Sequence, residues 1–176
     1  MSKILTTQLS GLLQRITQNE EEAIEETARL LAQAGIGEGN VYFACFGEMQ
    51  VVELNACQAV ERFTKLVPWT KDTVITEADR VCIFTRSAHD EDALALALQL
   101  NNQFIPFAAV ASEVVNSENP LADLAYTYIS TRMRGGLLPN DLGKRIVVPH
   151  AIAALFVYEA VKIAYDEMLG LDDEEL

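Results

Sequence analysis

The feature that most constrains this chain is a series of short apolar runs separated by helical patterns. VYFACF (41–46), RVCIFT (80–85), FIPFAAVA (104–111) and AYTYIS (125–130) are continuous apolar stretches of strand length. Strands of this kind are buried on both faces, which requires a parallel sheet covered on two sides. KLVPW (65–69) is a fifth, weaker run, and Pro68 marks it as an edge or a strand end. The order predicts an α/β chain, a doubly wound three-layer αβα sandwich with a five-stranded parallel sheet.

The intervening patterns are helical. Leu5, Leu9, Leu12, Leu13 and Ile16 recur at helical spacing. NEEE then signals a second helix start, with Asn19 as cap and Glu22 at the capping-box position, so the first 34 residues read as helix broken once. GIGEGN ends it. Further helices are expected from Gly47 to about Phe63 and from about Asp90 to Leu100. A short one follows Asn119 and Pro120, and a long apolar one runs from about Pro149 to Leu169. RMRGGLLPNDLGKR reads as a loop. The expected organisation is an N-terminal helical segment (1–35) packing on one α/β domain (36–170), with an acidic tail (171–176). The apolar first and last helices, with Leu12, Leu13, Ile152, Leu155, Phe156 and Ile163, suggest a homodimer or homotetramer, the alternative being packing within one chain.

Half of the 176 residues are apolar, enough for a core without disulfides. Thirteen Lys and Arg against 26 Asp and Glu, a net charge of -13, exclude a nucleic-acid partner and disfavour an anionic membrane surface. With no signal-peptide pattern and no membrane-length apolar run, the expected location is the cytoplasm. Cys45, Cys57 and Cys82 form no CxxC pair and read as reduced thiols. His89 and His150 are the only histidines, so no metal site and no cofactor are expected. The single Gly of GEMQ (47–50) does not make a dinucleotide fingerprint.

In a doubly wound sheet the ligand lies outside the carboxyl ends of the strands. Gly47 to Gln50, Thr85 to Asp90 and Ala111 to Asn119 are therefore the candidate ligand loops. In RVCIFTRSAHDEDALALALQL the hydroxyls of Thr85 and Ser87 stand between a strand and a helix, the layout of a phosphate loop. Asp90 at that helix start can instead cap the helix itself, and it repels an incoming anion. Both readings stay open: a phosphate site, with Arg86, Lys144 or Arg145 offsetting the carboxylate, or a self-capped helix.

The order of elements, with VYFACFGEMQ, EADRVCIFTRSAHDEDALALA and SENPLADLAYTYI, resembles the sugar isomerase (SIS) domain. The resemblance runs from about Ile36 to Leu169 and is greatest to a small group of bacterial SIS-like proteins. It implies a protein that binds a sugar phosphate, either a phosphoheptose-type aldose-ketose isomerase or a non-catalytic sensor or oligomeric scaffold. In the family's SxSGxT segment Thr85 and Ser87 take the Ser positions, Ala88 the Gly and Asp90 the Thr. The implied ligand set is Gly47, Gln50, Thr85, Arg86, Ser87, Ala88, Asp90 and Ser112. Glu61, or else Glu53, matches the family's base, and His150 its acid. Of the two family histidines on the last helix, His150 matches the first, and Leu155 stands where the second falls.

Overall fold

The computed structural model describes residues 1–171, so the expected acidic tail, beyond Leu171, lies outside the described residues. Four apolar runs become β1 (Val41–Cys45), β2 (Arg80–Phe84), β3 (Phe107–Ala111) and β4 (Thr127–Ser130), one parallel sheet in the order β1-β2-β3-β4. One row across it is Phe43, Cys82, Ala108 and Thr127. Alternate side chains point to opposite faces, so the sheet supplies two cores. Phe43, Cys82, Phe84 and Val110 face one side with Leu12, Val52, Val157 and Tyr158. Tyr42, Val81, Ile83 and Phe107 face the other with Ala93, Leu96, Leu100 and Leu121. Each large side chain buried this completely contributes about 1.5–3 kcal/mol.

The helices divide accordingly. α1 (Ser2–Ile36), α2 (Gln50–Gln58) and α5 (His150–Leu169) cover the first face, while α3 (Glu91–Asn102) and α4 (Pro120–Leu124) cover the second. The expected three-layer α/β architecture is therefore present, but the expected five-stranded sheet is corrected to four strands. KLVPW meets β1 through a single parallel bridge, Leu66 to Val41, with Val41 N–H bonded to the Lys65 carbonyl and Val67 N–H to that of Val41. Lys65 at φ 64° turns the backbone away from extended geometry, and Pro68 lacks the next donor, so the pairing cannot propagate.

Three more expectations change. α1 is continuous through NEEE. Leu12, Ile16, Glu20, Ile24, Ala28 and Leu31 form one buried ridge at spacings of three and four, and its packing overrides the capping signal. Asn19 accordingly donates from Nδ2 to the Arg15 carbonyl, 2.7 Å away, inside the helix. The helix after β1 begins as a 3-10 turn at Gly47–Met49 and stops at Gln58, short of Phe63. The segment read as a loop before α5 contains an antiparallel hairpin, β5 (Leu138–Pro139) with β6 (Arg145–Ile146). Asn119 caps α4 as its sequence predicts, accepting from Ala122 N–H at 2.9 Å. No helix among the described residues is long and apolar enough to cross a membrane.

Candidate functional site

The chain leaves β1, returns on its outer side at Leu66, and then crosses to β2 on the inner side. Strand order thus reverses at β1, and the crevice at the carboxyl ends of β1 and β2 is where such folds place a ligand. The ladder continues into the loops and holds them there. Phe46 N–H bonds to the Phe84 carbonyl, Thr85 N–H to that of Val110, and Thr131 N–H to that of Ala111. Gly47, at φ 60°, makes the left-handed turn out of β1.

At this edge the loop after β2 forms an oxyanion cradle, and a side chain of the protein occupies it. Ser87 Oγ donates to Glu113 Oε1 at 2.7 Å, and Ala88 N–H donates to Glu113 Oε2 at 2.7 Å. Ser112 Oγ adds a third donor to Oε2 at 3.3 Å. His89 N–H in turn donates to Ser87 Oγ at 3.2 Å, which orients the hydroxyl. Burial pushes the Glu113 carboxyl up in pKa, but the Ala88 N–H and the Ser87 hydroxyl, helped by its own N–H and Ser112, outweigh that and leave it below the usual carboxylate value. Charge-assisted bonds of this kind are about twice as strong as neutral ones.

The other loop residues surround this cradle. Asp90 caps α3, its Oδ1 accepting from Ala93 N–H at 2.9 Å. Thr85 is buried, and its Oγ1 has no hydrogen-bond partner among the described residues. Thr85, Arg86, Ser87, His89 and Asp90 line a cavity of about 180 Å³ together with Gly47 and Glu48. Arg86 pairs with Glu48 at 3.6 Å on the surface. His150 opens α5 half-buried beside them. Burial holds its pKa below the ordinary histidine value, with the Arg86 charge acting the same way and the Glu48 and Glu113 carboxylates opposing.

The structure therefore brings Gly47, Thr85, Arg86, Ser87, Ala88, Asp90, Ser112 and His150 to one edge of the sheet. It does not bring Glu61 there. Because α2 ends at Gln58, Glu61 lies beyond about 13 Å of helix leading away from Gly47, exposed to solvent. Glu53 is engaged elsewhere, its Oε1 accepting from Trp69 N–H at 3.0 Å. Gln50 is exposed and lines a separate groove with Glu53, Leu54 and Pro68. Sequence reasoning missed Glu113 and Glu48. Both lie inside the loops that the sheet rule singles out, yet neither carries a local pattern that distinguishes it from a solvated carboxylate.

Comparison with known proteins agrees with this architecture. The family model described as "Domain of unknown function (DUF2529)" matches residues 1–169. The Bacillus subtilis protein YwjG is 31% identical over 170 residues, covering 96% of this chain and 98% of its own. Among solved structures, the Vibrio vulnificus NanR protein complexed with ManNAc-6P superposes with a TM-score of 0.69 at 14% identity, over 98% of this chain and 63% of that one. A Methanococcus jannaschii protein, from whose structure a 3-hexulose-6-phosphate isomerase function was inferred, gives 0.65 at 15% identity, over 98% and 93%. With the strand reversal at β1 and the hydroxyl-bearing loop after β2, the chain has the fold of the sugar isomerase domain, and it belongs to the DUF2529 family.

Proposed function

We propose that this protein binds a phosphorylated sugar at the carboxyl edge of its sheet, with Glu113 as an internal competitor for the phosphate donors. The observation that carries the reading is the convergence of Ser87 Oγ, Ala88 N–H and Ser112 Oγ on one oxyanion. A sugar phosphate presents the same acceptor chemistry to these donors. NanR, which shares the fold, is seen with a phosphorylated sugar, and this supports the choice of ligand.

Glu113 and a phosphate cannot share the cradle. Two unit charges about 4 Å apart repel by about 4 kcal/mol at an effective dielectric near 20, as much as a millimolar affinity supplies. Binding requires the carboxylate to swing out, and removing it should tighten binding. Calorimetric titration against pentose, hexose, heptose and N-acetylhexosamine phosphates tests this. Glu113→Ala should bind its preferred sugar phosphate at least tenfold more tightly than the parent, and adding Ser87→Ala should abolish the gain. Unchanged affinity in Glu113→Ala, or no binding by either protein, rejects the reading.

The expected pair of Glu61 and His150 is not brought together, since Glu61 is remote, and Leu155 stands where the resemblance implies the second family histidine. This favours a non-catalytic phosphosugar-sensing module. A sugar-phosphate isomerase, including one of phosphoheptose type, is the second reading, because Glu48 and a neutral-leaning His150 flank the same crevice. Isomerisation moves a proton between adjacent carbons and needs a base and an acid at that spot. Turnover of any aldose or ketose phosphate that disappears in His150→Gln would select the enzyme. No turnover across the panel selects the module.

A further inference from the structure

A second cavity, of about 480 Å³, lies between the N-terminal half of α1 and the loop after β4, and its charge is opposite to that of the molecule. Arg15, Arg132, Arg134 and Arg145 line it, and no Asp or Glu does. In a chain with 26 acidic and 13 basic side chains, a cavity whose charged lining is arginine alone is not the default outcome of dispersed surface charge. We propose that this cavity is an anion site for a small molecule carrying two phosphoryl groups.

The construction supports a built site. Gln8, Leu12 and Arg15 fall on one face of α1, and buried Leu12, Met133 and Leu137 form an apolar floor. Gly136 is closely overlaid by the backbone of Arg145 and Ile146, so no side chain fits there. Its carbonyl accepts from Arg145 Nε at 2.9 Å, which fixes that arginine. Arg132 sits in the left-handed region at φ 53°, held by Glu20 Oε1 at 2.7 Å from its Nε and by Ser130 Oγ at 3.0 Å from its N–H. Strained backbone of this kind persists where the surroundings over-determine it.

Charge counting sets the ligand. Glu20 neutralises Arg132, whereas Arg15, Arg134 and Arg145 have no carboxylate within 4.0 Å among the described residues. Three uncompensated guanidinium groups match two phosphoryl groups better than one, and arginine's planar fork is suited to bidentate phosphate contacts. The volume falls within the usual range of about 300–1,000 Å³ for small-molecule sites.

The inference does not rest on the sugar phosphate reading, and the two fail separately. Calorimetry at fixed ionic strength, with pyrophosphate, a nucleoside diphosphate, a hexose bisphosphate and inorganic phosphate as probes, distinguishes a free diphosphate from an esterified one. The tightest probe should lose at least tenfold in affinity in Arg15→Ala and in Arg134→Ala. Both residues are exposed, so the fold should survive, as an unchanged melting temperature would show. Arg15→Lys should recover part of the loss, and Ser87→Ala should leave this binding intact. The proposal is overturned if no probe carrying two phosphoryl groups binds, if inorganic phosphate binds as tightly as those probes, if the arginine variants bind like the parent, or if Ser87→Ala alone removes binding. It is equally overturned if sedimentation of the parent shows a dimer that Arg134→Ala dissociates while no probe binds, because a second copy would then cover the cavity.

Discussion

Glu113 shows how one side chain changes the chemistry of a loop. The backbone and hydroxyl donors of residues 87–88 converge on one carboxylate, and that acceptor comes from the next strand's loop, 25 and 26 residues away in sequence. Its acidity links the loop to stability. A carboxyl held below its ordinary value of 4.5 contributes stability that is complete above that pH and is lost as pH falls through the folded value. His150 acts in the same direction in a higher window. Its folded pKa lies below 6.5, so between that value and 6.5 the unfolded chain holds a proton that the folded chain does not, and acidification favours unfolding. The melting temperature should therefore fall on acidification from about pH 7 to about pH 4. His150→Gln should flatten the decline below 6.5 and leave the later fall due to Glu113. A His150→Gln profile that matches the parent throughout would show that His150 is not held neutral.

At the scale of elements, α1 and the turn after it set the positions of the others. The α1 ridge packs on both α5 and the sheet. Through Glu20, which accepts from Ser130 N–H at 3.1 Å and from Arg132, it also ties the helix to the end of β4. Ser130 Oγ donates to the Ser112 carbonyl at 3.0 Å, so hydrogen bonds run from the arginine cavity to the Glu113 loop without a break. Entry into β1 depends on Gly39, where any Cβ would overlap the carbonyl of Ala78. Gly39→Ala should therefore cost about 2–3 kcal/mol, as overpacking against backbone does, read as a lower urea midpoint with an unchanged slope. A loss below about 0.5 kcal/mol would mean that the strand entry is not tightly packed.

The whole molecule has a helix longer than its sheet. α1, at 35 residues, is about 52 Å long, whereas strands of five residues span about 17 Å. Its fully buried residues begin at Leu12, with Leu9 packed against the core one turn earlier, so among the described residues its first two turns are left largely exposed, and a helical segment of that length is marginal in water. Leu12 is used internally and Leu155 and Phe156 pack on the core, but Ile4, Ile152 and Ile163 stay 51%, 47% and 61% exposed. The expected homodimer or homotetramer, if its isologous interface ran through α1 and α5, would cover these residues. Sedimentation at micromolar concentration should show a dimer or tetramer that the double variant Ile152→Glu, Ile163→Glu shifts to monomer. A parent that sediments only as monomer removes this expectation.

The sequence by itself determined the layers, because both-face-buried strands and one-faced helices leave few ways to hide their apolar surface. It located the candidate ligand edge for the same reason, since parallel strands put all their carboxyl ends, and so the Thr85–Asp90 loop, on one side. It did not determine whether KLVPW completes a strand. Lys65 geometry and Pro68 limit it to one bridge, and only the pairing with Val41 reveals that balance. Nor did it determine the continuity of α1, where a genuine capping signal at Asn19 lost to a ridge whose burial is visible only against the sheet. The two anion features were the least accessible. Glu113 reaches the cradle, and Arg15 lines one cavity with Arg134, across distant segments of the chain, and side-chain chemistry assembled over such separations leaves no local pattern.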